Sequence, residues 1–180
     1  MAPRETSGDH RRLPTLEDPR AVLRRHGLRP KRSWGQNFLV NLALVERIAD
    51  EVAAGGAEHV VEIGAGAGTL TAALAARIPA VTAIERDRDL AALLRVELGE
   101  GGPIEVVEAD AAKYDLGAAC AGRVTAVAGN LPYQLTGRLM RVVIGARDSI
   151  ERTVITVQRE VADRIVASPG TKSYGVLSVL

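Results

Sequence analysis

The segment GNLPYQLTG, residues 129–137, sets an amide, a proline and an aromatic ring side by side, directly behind a strand-like run of small apolar residues from Val124 to Gly129. Asn130 offers a side-chain carbonyl, Leu131 a main-chain carbonyl, Pro132 stiffness and Tyr133 a flat stacking surface. Two acceptors and a ring match a base that bears an exocyclic amine. Such an amine is a poor nucleophile, because its lone pair is delocalised into the ring. Acceptors for both of its N–H groups favour a pyramidal nitrogen whose lone pair points at an electrophile, while stacking on Tyr133 holds a flipped base in place. Asn130, Leu131, Pro132 and Tyr133 are therefore the candidate catalytic residues.

A second group of residues suits a nucleoside. VEIGAGAGTLT, residues 61–71, reads as a strand, then Gly64, Gly66 and Gly68, then a helix. Glycines at such a turn let the backbone approach a ligand and leave helix N-terminal N–H groups facing it. A nicotinamide dinucleotide site would have G-x-G-x-x-G; here the third glycine comes one residue early and Thr69 takes its place, which leans away from NAD. Glu85 follows 21 residues after Gly64, where a carboxylate can accept both ribose hydroxyls; the bland alternative is a surface charge ahead of a helix starting near Asp87. Asp110 follows the next strand and can accept from the amine of an adenine, or can simply hold a turn. Three successive strand ends thus present groups suited to one adenosine.

These groups need a frame, and the sequence predicts one. Short β-branched runs at His59–Ile63, Ala80–Ile84, Ile104–Val107, Val124–Ala128 and Arg152–Val157 recur roughly every twenty residues, the length of a βα unit. The expectation is an α/β fold with a parallel sheet, helices on both faces and strands buried on both sides. Leu42, Val45, Ile48, Ala49 and Val52 have helical spacing, with Asn41 as N-cap and Gly55-Gly56 as a stop. Residues 1–19, polar with three prolines, read as a loosely attached tail, and residues 20–180 as the folded domain.

Among 180 residues, 47% are hydrophobic, enough for one domain with a real core. One cysteine, Cys120, excludes an internal disulfide, and His10, His26 and His59 lack zinc-ligand spacing. That cysteine usage reads as a cytoplasmic protein, and the charged N-terminus, without an apolar run, supports neither a signal peptide nor a membrane span; a monomer without metal is the expectation. Residues 1–33 carry nine Lys/Arg against four acids, a charge of +5, so the rest sums to −4 within a total of +1. That basic arm fits phosphate contact or a solvated tail equally well. Glu160 and Arg164 read as an intrahelical ion pair.

Taken in order, GQNFL (35–39), VEIGAGAGTLT, IERD (84–87), EAD (108–110), GNLPY (129–133), VQREVADRI (157–165) and KSYGVLSV (172–179) resemble the KsgA/RsmA family of S-adenosylmethionine-dependent small-subunit ribosomal RNA adenine dimethyltransferases. The resemblance implies a class I methyltransferase (Rossmann-like) fold. It implies that Asn37, Leu39, Gly64, Glu85, Asp110 and Asn130 contact S-adenosylmethionine, with Glu62 and Gly66 shaping the turn. It further implies, as partner, 16S rRNA within the small ribosomal subunit, dimethylated at two adjacent adenosines of a hairpin loop near its 3′ end, with a checkpoint role in subunit assembly. Family members continue beyond KSYGVLSV through more strands and a small helical domain, so about five of the usual seven strands are expected, with an open sheet edge beside Arg152–Val157. Other readings stay open: a 23S rRNA methyltransferase of the antibiotic-resistance type, and a non-catalytic assembly factor that keeps the cofactor pocket.

Overall fold

Five parallel strands carry the molecule in this computed structural model, which describes residues 14–31, 35–99, 102–120, 122–132 and 135–179. They are β1 (His59–Ile63), β2 (Ala80–Glu85), β3 (Ile104–Glu108), β4 (Thr125–Asn130) and β5 (Arg152–Thr156), in the spatial order β3-β2-β1-β4-β5. The helices are α1 (Pro19–Arg25), α2 (Leu42–Ala53), α3 (Thr69–Ala75), α4 (Arg88–Leu98), α5 (Leu116–Cys120), α6 (Thr136–Gly145), α7 (Arg159–Ile165) and α8 (Val176–Val179). Strand order reverses between β1 and β4, and at such a switch point the loops leaving the two strands diverge and open a crevice at their carboxyl ends.

Period-two alternation along the strands feeds two cores. Val60, Val81, Ala83, Ala126 and Ala128 pack with α2 and α3 on one face, whereas Val61, Ile63, Ile84 and Val127 pack with α5 and α6 on the other. The α2 stripe Val45, Ile48, Ala49 and Val52 is fully or almost fully buried, and each of its Val and Ile side chains contributes about 1.5–3 kcal/mol on burial. Asn41 caps this helix by accepting from Leu44 N at 3.2 Å. Burial on both sides holds for β1, β2 and β4 but not for β3 and β5, which are half-exposed along most of their length. The reason is position: both lie at sheet edges, and among the described residues β5 pairs only with β4.

Two expectations shift in detail. Residues 14–18, read as tail, touch the body: Leu16 packs on the first core and Glu17 O accepts from Thr69 Oγ at 3.1 Å. Residues 1–13 lie outside the described residues. Part of the basic arm's charge is consumed internally, since Arg20 pairs with Asp18, Arg25 with Glu17 and Glu97, and Lys31 with Asp87 and Asp89. On α7 the ion pair that forms is Arg159–Asp163 at 3.9 Å, one register earlier than Glu160–Arg164.

Candidate active site

At the end of β1 the chain turns through residues 64–68 before entering α3. Gly64 N and Ala65 N both donate to Ile84 O, and Gly66 N donates to Glu85 Oε2 at 2.9 Å. Gly66 sits at φ +62°, and a Cβ there would stand 3.0 Å from the Phe38 ring, so any larger residue would be strained in this backbone conformation and would have to displace that ring. Glu85 is 8% exposed, which sets aside the surface-charge reading. Burial raises its pKa, opposed by N–H groups of Asp87, Gly66 and Arg86 that favour the carboxylate. Beneath it, Glu62 is buried against α3 and accepts from Thr71 Oγ at 2.6 Å. Burial pushes its pKa up to about 8 despite that hydroxyl, with the Glu85 charge adding to the rise. Near neutrality Glu62 is therefore largely the uncharged acid.

A strap formed by Lys31 and residues 35–39 crosses this turn. Its anchor is Asp87, which is 2% exposed, N-caps α4, and accepts from Lys31 Nζ and Gln36 Nε2 at 2.8 Å each. Burial alone would raise the Asp87 pKa, but Lys31 and Gln36 hold it below the usual carboxylate value. Gln36 Oε1 in turn accepts from Lys31 N at 2.8 Å. The strap carries Asn37 and Leu39 to the crevice.

From the other side of the switch point, β4 runs one residue further than the apolar pattern suggests, through Asn130, because Asn130 pairs with Thr156 of β5. Its Nδ2 donates to Asn37 O at 2.5 Å, and its Oδ1 accepts from Thr156 Oγ at 2.5 Å. Asn37 thus meets Asn130 through its main chain. Pro132 lines the same cavity, and Leu131 is buried in the second core. Tyr133 lies outside the described residues. Asp110 also lines the cavity, and its Oδ1 holds a turn by accepting from Ala112 N at 3.0 Å, the second of the two readings considered for it.

One open cavity at the carboxyl ends of the strands therefore joins Glu62, Gly64, Gly66, Glu85 and Asp110 with Asn37, Leu39, Asn130 and Pro132. The sequence profile of ribosomal RNA adenine dimethylase matches residues 27–180. The chain belongs to the ribosomal RNA adenine dimethylase family. Within that family it is 46% identical over 165 residues to the ribosomal RNA small subunit methyltransferase A of Myxococcus xanthus, covering 92% of this chain and 58% of that one. It is also 46% identical over 170 residues to the protein of the same name from Anaeromyxobacter sp. strain K, covering 90% and 60%. The chain thus spans a little under two thirds of the length of the curated relatives it matches.

Among solved structures, a dimethyladenosine transferase from Plasmodium falciparum superposes with a TM-score of 0.68 at 27% identity, over 79% of this chain and 51% of that one. The 23S rRNA methyltransferase ErmE superposes with a TM-score of 0.63 at 33% identity, over 71% and 50%. In this dimethylase family member the side chains that sequence reasoning passed over are Lys31, Gln36, Asp87 and Thr156. Gln36 and Asp87 stand inside the GQNFL and IERD motifs, which was the available signal; nothing in the sequence distinguished Thr156 from an ordinary strand former. Among the described residues no cluster of His, Cys, Asp or Glu is arranged for a metal, and no helix is long and apolar enough to cross a membrane.

Proposed function

We propose that the chain transfers methyl groups from S-adenosylmethionine to adenine amino nitrogens of small-subunit ribosomal RNA. The observation that carries this reading is the shared cavity, with Gly66, Glu85 and Asp110 on one side of the switch point and Asn130 and Pro132 on the other. The residues present fit the cofactor: a turn without side chains at Gly66, a buried carboxylate at Glu85 and a second acid at Asp110 suit an adenosine. When bound, S-adenosylmethionine supplies a methyl whose C–S electrons pass to sulfur as the nitrogen lone pair forms the new N–C bond, the nitrogen's proton leaving to water.

The chain's own part is to orient and to exclude. Glu85 accepts from the ribose hydroxyls and Asp110 from the adenine amine, with Gly64, Gly66 and Glu62 forming the floor. Asn37 and Leu39 cover that group from the strap. Asn130 Oδ1 and the Leu131 carbonyl accept from the target amine, which turns its lone pair out of the ring plane, and Tyr133 stacks on the target base. Positioning supplies the main acceleration, since a bimolecular encounter becomes an oriented one. The names of the curated relatives favour the small subunit, and two adjacent adenosines of a 3′ hairpin are the finer target we propose; such a substrate implies a cytoplasmic site of action. The likeness to ErmE favours a 23S alternative.

Labelled S-adenosylmethionine incubated with undermethylated 30S and, separately, 50S subunits tests the proposal. Label on small-subunit adenines supports it; label confined to 23S rRNA selects the alternative, and no label on either overturns both.

A further inference from the structure

We propose that Thr156 is a positioning residue for methyl transfer, its hydroxyl fixing the direction in which the Asn130 side-chain carbonyl points. This rests on the reading above, in which Asn130 accepts from the target amine. Thr156 touches the NLPY segment twice: its hydroxyl donates to Asn130 Oδ1 at 2.5 Å, and its main-chain carbonyl accepts from Leu131 N at 3.2 Å. The two residues are register partners in the β4–β5 ladder, so the contact is set by strand pairing rather than by a loop.

The direction of the amide follows from chemistry. Asn37 O is a main-chain carbonyl and can only accept, so the group facing it at 2.5 Å must be the Asn130 NH2. The oxygen then faces β5, where the Thr156 hydroxyl supplies the matching donor. One lone pair of Oδ1 is used by Thr156, which leaves the second for an incoming N–H. Without that hydroxyl the planar amide keeps only the Asn37 contact of its two tethers, so the whole group, oxygen and nitrogen together, can rock about the terminal torsion, which is intrinsically broad, and the oxygen is no longer pinned. Valine at this position would keep the β-branched shape of the strand and remove only the donor.

Thr156→Val and Thr156→Ser are compared with the unaltered chain in three measurements: steady-state methylation of undermethylated 30S subunits, cofactor affinity by calorimetry, and the Asn130 side-chain NH2 resonances in the 15N-labelled protein. The expected result is a kcat lower by about 10- to 100-fold in Thr156→Val, the scale of a misplaced reacting group, with KM and cofactor Kd within about twofold. Thr156→Ser, which retains the donor, is expected within about threefold of the unaltered kcat. The Asn130 amide pair should shift in the valine variant and return in the serine variant. An unchanged kcat in Thr156→Val, or a serine variant as impaired as the valine one, overturns the proposal. If the unaltered chain methylates neither subunit, the functional reading fails by itself. The amide resonances then still decide the orienting role: a shift in valine but not serine upholds it, and no shift overturns it.

Discussion

Glu85 Oε2 accepts the main-chain N–H of Gly66 at 2.9 Å, so the carboxylate that ends β2 is fastened to the turn that leaves β1. One side chain both shapes the glycine turn and presents its charge to the cavity. On the proposed reading, replacing it with alanine removes charge-assisted hydrogen bonds to a bound ribose; in the structure it frees the turn. Glu85→Ala is expected to weaken S-adenosylmethionine binding by about 1.5–3 kcal/mol, measured by calorimetry on folded protein. Unchanged affinity would remove Glu85 from the site.

Asp87 ties the strap to α4, and asparagine separates its two jobs. Asn caps a helix about as well as Asp but cannot pair with the Lys31 ammonium. Asp87→Asn is therefore expected to lower stability by about 1–2 kcal/mol, or roughly 2–8 °C in Tm, and to speed proteolysis at Lys31 and residues 35–39 in particular. Uniform susceptibility along the chain would show that the strap is held elsewhere.

Two buried groups pull the pH dependence of stability in opposite directions. His59 is 1% exposed between Thr82 and Thr125 hydroxyls, and burial lowers its pKa from 6.5 to about 4, with Arg123 adding to the fall. The unfolded chain then binds the extra proton, so stability is lost as pH falls from about 6.5 through 4. Glu62 is the reverse case: raised to about 8 from 4.5, it keeps its proton in the fold, so its contribution is intact below 4.5 and lost as pH rises through 8. Urea unfolding across this range should give a dome, and Glu62→Gln should flatten its alkaline side while leaving the acid side in place. A parallel displacement of the whole curve would contradict the assignment.

Gly129 is the register partner of Ile63 where β4 runs beside β1. A Cβ there would stand 2.6 Å from Ile63 O, a main-chain atom locked in the sheet. Gly129→Ala is expected to destabilise by about 1–3 kcal/mol and to impair activity through the displaced Asn130 beside it. A denaturation midpoint equal to that of the parent would mean that the two strands can part at no cost.

Most of the frame was legible in the sequence because the strands are short β-branched runs spaced by one helix each. The β1 boundaries match the expected residues, and the others agree to within two residues. The edge strands were misjudged as doubly buried, since a run such as IEVVE reads the same whether or not a layer covers its second face. At the site, Gly64, Gly66, Glu85, Asp110, Asn130 and Pro132, from the ends of β1, β2, β3 and β4, do share one cavity, whereas Leu131 packs in the second core and Gly68 does not line it. What local patterns could not convey were contacts between residues distant in the chain. Asp87 holds Gln36 across 51 positions, Asn130 reaches Asn37 across 93, and Thr156 meets Asn130 across 26. Each depends on strand order, which period and composition leave undetermined.

The central claim is that a methyl donor and a purine meet in one crevice, and a crystal structure of the chain with S-adenosylhomocysteine and adenosine monophosphate tests it most directly. The account predicts the cofactor's ribose hydroxyls on Glu85, its adenine on Asp110, and the amino group of the second purine on Asn130 Oδ1. Either ligand bound away from the β1–β4 switch point, or the second purine's amino group out of reach of Asn130 Oδ1, would contradict it.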